Sequence, residues 1–194
     1  MFCNQLPELL KSLIGNRNLN EIRLFAQDES RFGLLPVLRR RITLKGVKPV
    51  QPIQHVFENY YLYGAIEPKS GNSFFLEMPY LNSDCFQIFL DQISLHFPDT
   101  LNILILDNGA FHKAKKLNIA NNLILLFLPP YAPELNPIER FWLDVKDQIA
   151  GEIFETLLAL KDSVAKIIRS YSNEEAAKLT GFPYILNAIN AQLI

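Results

Sequence analysis

Two runs of strand length in this sequence are almost uninterrupted apolar residues, LNILIL at 101–106 and LILLFL at 123–128. An alternating run would leave one face of a strand to water, whereas a continuous one demands cover on both faces, the condition of strands inside an α/β sheet. Such strands need helices, and the sequence supplies them. SDCFQIFLDQISLHF at 83–97 sets Phe86, Phe89, Leu90, Ile93 and Phe97 three and four apart, with Ser83 or Asn82 available as N-cap. After Pro137, the residues Ile138, Phe141, Trp142, Val145 and Ile149 repeat that spacing and predict a second amphipathic helix.

The earlier part of the chain reads as a meander. EIRLFAQ at 21–27 predicts a strand ending in Asp28 and Glu29; YYLYGAIE at 60–67 and SFFLEM at 73–78 predict two more, joined by the hairpin-type connection PKSGN. The basic segment HKAKKLN between the two apolar strands is expected to be helical. The fold class is therefore α/β, a mixed five-stranded sheet in the order β-β-β-α-β-α-β-α. Residues 1–20 form a short helical lead-in, 21–150 the main domain, and 151–194 a helical tail expected to pack on the core. At 49% hydrophobic content the chain can build a sizeable core, which excludes a disordered protein. No window approaches the roughly 20 apolar residues of a membrane span, and the N-terminus has no signal pattern, so a soluble cytoplasmic protein is expected. Cys3 and Cys85 form neither a CxxC pair nor a disulfide framework and are read as small buried hydrophobes.

Three acids stand at element ends: Asp28 after the first strand, Asp107 after the first apolar run, and Glu139 at the start of the last helix. Glu139 follows PPYAPELNP, whose prolines fix φ and can deliver one side chain to a set place beside two aspartates distant in sequence. Taken singly each acid is an ordinary turn or helix-terminus residue, and Glu134 on the loop is the decoy for the third position. Together they form a hard-oxygen set without His or Cys, suited to Mg²⁺ or Mn²⁺ and to two-ion phosphodiester chemistry.

FAQDESRFG at 25–33, LILDNGAFHKAKKL at 104–117 and LPPYAPELNPIERFWLDVK at 128–146 closely resemble the three catalytic motifs of the mariner-like insertion-sequence transposases. Their catalytic domain is a DDE endonuclease with a ribonuclease H-like fold. The resemblance covers about residues 5–150 and implies Asp28, Asp107 and Glu139 as catalytic, metal-binding residues, with two Mg²⁺ ions or Mn²⁺ in their place. It implies that the first and fourth strands are neighbours. It further implies cleavage at transposon ends by activated water, then attack of the freed 3′ hydroxyl on target DNA, without a covalent enzyme intermediate. The family places helix-turn-helix modules before this domain, and nothing of that kind fits before the first strand, so specific end recognition is expected to be missing. DNA is the implied partner, and a homodimer and a separate DNA-binding polypeptide are further candidates.

Net charge is −1, so DNA contacts must be sought locally. From Ser30 to Phe57 the chain carries Arg31, Arg39, Arg40, Arg41, Lys45 and Lys48 and no acid, a stretch able to neutralise phosphates. Ile42 stands where relatives often carry a stacking Trp. His112, in the family's D-N-x-x-x-H pattern, is expected to contact a phosphate or position a water. Asn136 caps the last helix or braces Glu139 and is counted with the nucleic-acid-binding residues, whereas Trp142 is read as core rather than as a stacking platform. Two competing readings are a receiver-like magnesium-binding phospho-acceptor module and an inactive DNA-binding remnant of a transposase.

Overall fold

The computed structural model describes residues 2–15, 22–37, 44–48 and 54–191. Its centre is a five-stranded sheet in the order β3-β2-β1-β4-β5. The strands are β1 (Ile22–Gly33), β2 (Asn59–Ile66), β3 (Ser73–Met78), β4 (Leu101–Leu106) and β5 (Leu123–Phe127). Around them lie α1 (Phe2–Ile14), α2 (Ser83–His96), α3 (Ile138–Gln148), α4 (Leu157–Ser170), α5 (Asn173–Thr180) and α6 (Pro183–Asn190). None of the helices is long and apolar enough to cross a membrane, among the described residues.

β1 organises the sheet. It runs parallel to β4 from Ile22 opposite Leu101 to Ala26 opposite Ile105, and antiparallel to β2 from Ala26 opposite Ile66 to Gly33 opposite Asn59. The sequence predicts an end at Gln27, but the strand continues to Gly33, because Ser30 and Phe32 are buried with Arg31 exposed between them. That is the alternation of a half-covered strand, partly written in polar letters. Asp28 and Glu29 therefore lie inside a strand, just past the point where the parallel partner ends.

β4 is buried along its whole length, as its apolar run demands. Leu104 and Leu106 join Phe25, Tyr63, Phe86, Phe89, Leu90 and Ile93 under α2. Ile103 and Ile105 face the other way and pack with Leu6, Leu10, Ile185 and Ala188 of α1 and α6. On that same face, farther along the sheet, Phe141, Trp142 and Val145 of α3 pack with Tyr60, Ile66, Leu160, Val164 and Ala176. Lead-in and tail helices thus share their cores with the sheet; each fully buried Leu or Phe among them contributes roughly 2 kcal/mol.

The expected helix between β4 and β5 is a 3-10 turn, Ala110–Lys113, opened by the bond from His112 N–H to Gly109 O at 3.0 Å. The tight turn sets Phe111 and His112 against Phe86 of α2, which already covers this face.

Candidate active site

Two successive acids on β1 must point to opposite faces of the sheet. Ala26 and Phe32 belong to the cluster under α3, and Phe25 to the one under α2. Asp28 follows the even positions: Trp142 Nε1–H, from α3, donates to its Oδ2 at 3.1 Å. Glu29 follows the odd ones, with its Oε1 3.1 Å from His112 Nε2 and accepting from Gln27 Nε2 at 2.7 Å. Of the adjacent pair, Asp28 is the acid on the side of the helix that carries Glu139.

His112 is buried between the rings of Phe86 and Phe111, with centroids 4.5 and 4.1 Å away. Its second nitrogen, Nδ1, lies 2.8 Å from Asp107 Oδ1, close but without the alignment of a hydrogen bond. Glu29, His112 and Asp107 form a bridge from β1 to the end of β4. Asp107 Oδ1 also accepts Gly109 N–H at 2.8 Å. A Cβ on Gly109 would stand 3.0 Å from His112 Nδ1 and 3.1 Å from Asp107 Oδ1, so the glycine keeps this junction open.

The proline loop is tied down at three points before it reaches Glu139. Leu128 N–H donates to Leu106 O at 2.8 Å; Tyr184 of α6 donates its hydroxyl to Leu135 O at 2.5 Å; Asn136 Nδ2 donates to Gln27 O, one residue from Asp28, at 2.8 Å. Glu139 N–H then donates to Asn136 O at 3.2 Å as the helix begins. Asn108 Nδ2 donates to Leu128 O, while its Oδ1 accepts from Lys113, which joins the turn after β4 to the start of the loop. Outside these ties, Tyr131 is fully exposed in a left-handed conformation, φ 57°, beside a cavity of about 450 Å³ that Asp107 and Asn108 also line.

Asp28 and Glu139 both carry raised carboxyls. Burial pushes the Asp28 carboxyl well above its ordinary range, and Glu29, Glu139 and Asp107 raise it further against the opposing Glu29 backbone N–H. Burial also raises Glu139; Lys146 opposes and Asp107 adds to the rise. An excess of negative charge on hard oxygen donors is the chemistry that suits a divalent cation bound through carboxylates, water and substrate oxygens. Among the described residues, no three His, Cys, Asp or Glu side chains draw close enough to enclose an ion by themselves. Of the three acids, Asp107 lines the cavity beside the proline loop.

Arg31, Lys45 and Lys48 are exposed, and Arg31 lines a cavity of about 240 Å³ with Lys146 and Phe57. Arg39, Arg40 and Arg41 lie outside the described residues. One expectation changes: Asn136 is buried and makes no side-chain cap; the N-cap is Pro137, and the Asn136 amide donates to Gln27 O on β1. His112 is buried, with Nε2 facing Glu29 and Nδ1 facing Asp107. The bond from Trp142 to Asp28 is invisible in the sequence, where an apolar helix position gives no hint of a polar task at the ring's edge.

The DDE superfamily endonuclease profile matches residues 23–161. An uncharacterized protein of Sinorhizobium fredii (strain NBRC 101917 / NGR234), y4pE/y4sA, is 36% identical over 97 residues, 49% of this chain and 72% of its own. The Mos1 transposase paired-end complex with left transposon end has a TM-score of 0.68 at 13% identity, over 97% of this chain and 61% of that one. The Mos1 mariner paired-end complex with Mn has a TM-score of 0.68 at 15% identity, over 97% and 59%. The chain thus spans about three fifths of the Mos1 chains it matches, and the likeness is one of fold, the ribonuclease H-like sheet. The family match favours the endonuclease reading over the receiver-like one. With the profile running from β1 into α4 across all three acids, this chain belongs to the DDE superfamily endonuclease family and has the fold of a mariner-type transposase catalytic domain.

Proposed function

We propose that the chain is the catalytic domain of a DNA transposase, cutting at transposon ends and joining the freed strand to target DNA. What supports this reading is that Asp28 and Glu139 both carry raised carboxyls to which the Asp107 charge contributes, in a chain of the DDE endonuclease family. The three would hold two divalent cations, Mg²⁺ or Mn²⁺, and a Mos1 complex with Mn supports that choice of metal. When bound, such ions supply an activated water or hydroxyl on one side of phosphorus and neutralise the leaving oxygen on the other.

The chain's own residues do the holding. Trp142 fixes one oxygen of Asp28, the Gly109 amide and His112 face Oδ1 of Asp107, and Asn136 sets the height of Glu139 against β1. Arg31, Lys45 and Lys48 are exposed cations suited to DNA phosphates, positioning the duplex without reading its sequence. DNA is the partner this proposes, with a homodimer for bringing two ends together and a separate polypeptide for recognising them.

The test is nicking of a supercoiled plasmid by the purified chain with Mg²⁺ or Mn²⁺, with Glu139→Gln beside it. Metal-dependent nicking lost in the variant is the expected result. Nicking that survives in Glu139→Gln would overturn the assignment of that acid, and metal-independent nicking would overturn the chemistry.

A further inference from the structure

We infer that Trp142 is a positioning residue for Asp28, and that Gly64 on the neighbouring strand exists to let it reach. This rests on the reading of Asp28 as a metal ligand.

Asp28 and Gly64 are direct partners in the β1–β2 register. A Cβ at position 64 would stand 2.7 Å from Trp142 Cη2, 2.8 Å from its Cζ2 and 2.8 Å from Phe75 Cε1, so any side chain there would strike the indole. The ring therefore crosses β2 at the one residue that leaves room and arrives at β1 with its edge against the carboxylate. Phe32, Phe75 and Phe141 surround it edge-on, with centroids 6.4, 5.8 and 5.7 Å away, and it is 1% exposed. A ring so enclosed has no other rotamer to adopt.

Indole nitrogen is a donor only, so the bond can go to carboxylate oxygen and cannot be reversed. It engages Oδ2, and the Glu29 backbone N–H adds a second donor to the same carboxyl. A hydrogen bond from a locked donor to a charged acceptor orients that acceptor before any ligand binds, which lowers the entropy that binding must remove. An apolar residue of similar size would fill the same core and do none of this.

Trp142 is the one tryptophan of the sequence, so a ¹⁵N-labelled sample gives a single indole N–H resonance. The experiment follows that resonance in the full chain and in Asp28→Asn, and during Mg²⁺ addition, while calorimetry measures Mg²⁺ binding to wild type, Asp28→Asn and Trp142→Phe. The expected result is a resonance that moves in Asp28→Asn and moves saturably with Mg²⁺. Trp142→Phe should bind Mg²⁺ about tenfold more weakly, the lower end of what a hydrogen bond to a charged group is worth. If Trp142→Phe does not fold, Gly64→Ala, which displaces the ring from the other side, is measured in the same way and should weaken binding likewise. A resonance indifferent to Asp28→Asn, or Mg²⁺ affinity within twofold of wild type in the folded variant, overturns the positioning role while Asp28 remains a ligand. Mg²⁺ binding that is absent in wild type or unchanged by Asp28→Asn overturns the ligand reading, and the positioning role with it.

Discussion

Asp28 sits inside β1, half-buried, with one oxygen on an indole, whereas Asp107 stands one residue beyond β4 with its side chain 57% exposed and its contacts drawn from a turn. Asp107 adds to the raised Asp28 carboxyl, yet the protein treats the two differently. Asp28 is placed by the sheet and a packed ring and carries the cost of a desolvated carboxylate among other acids. Asp107 keeps much of its solvent. One acid is held by the sheet and a packed ring; the other stands on a turn.

The sharpest break of this comparison is to neutralise each acid in turn. Asp28→Asn and Asp107→Asn should both lose plasmid nicking by at least about 10³-fold, the scale of removing a preorganised electrostatic group from a reaction. They should separate on stability. Asp28 has a raised pKa in the folded state, so the folded chain binds more protons than the unfolded one between the two values. Its contribution to stability is full below the unfolded carboxylate range and is lost as pH rises through the folded value. At pH 7 Asp28→Asn should therefore melt higher than wild type, and the gap should close as pH falls toward the ordinary carboxylate range. Asp107→Asn, largely exposed, should melt near wild type throughout. Thermal melts from pH 4 to pH 8 check this, and equal behaviour of the two variants would end the distinction.

The bridge behind Asp107 offers the next test. Glu29 has a side chain only 5% exposed and finds His112 as well as Gln27, so His112→Ala strands a buried acid and opens a gap beside Phe86. The expected loss is about 1–3 kcal/mol in denaturant unfolding. His112→Asn, which keeps a donor on a shorter side chain, should recover part of it. If His112 serves substrate rather than structure, stability will hold while DNA affinity falls.

Much of this was legible in the sequence. The first continuous apolar run is the fully buried β4, whereas the second, β5, is an edge strand and only half-buried; α2 and α3 stand where their spacing put them, and the β1–β4 adjacency followed from the family resemblance. What could not be read has physical causes. The end of β1 was hidden because Ser30 is a buried polar residue with no partner for its hydroxyl among the described residues, and polar letters ordinarily mark a turn. The segment after Asp107 looked helical by composition, but Asp107 and Gly109 close a tight turn and Asn108 ties it to Leu128 O. Asn136 looked like a cap because of its place before a helix, and its amide instead crosses to Gln27 on a strand far away in sequence. Such long-range ties leave no local mark.

The Asn136 tie itself is a smaller test. Asn136→Ala removes one buried hydrogen bond to Gln27 O and should cost about 1 kcal/mol. Because the same residue's carbonyl receives Glu139 N–H, nicking should fall more than stability does. Tyr184→Phe removes a second tie of the loop, at Leu135 O, and should show the same pattern more weakly. Equal losses of stability with nicking intact would mean that the loop holds Glu139 in place without either bond.

The smallest expected effect concerns exposed lysines. Lys45 and Lys48 are exposed, and a cation that meets a DNA phosphate releases a condensed counterion when it binds. Replacing both with Ala should weaken DNA binding about equally for all sequences and reduce the slope of log affinity against log salt by about 1 for each phosphate that is no longer neutralised. Nicking at saturating DNA should not change, because neither residue touches the crevice chemistry. A slope unchanged in the double variant would remove both lysines from the interface and move the electrostatic footprint to Arg31 and the arginines that follow it; a change in nicking at saturation would instead draw them into the site and erase the division between residues that place DNA and residues that cut it.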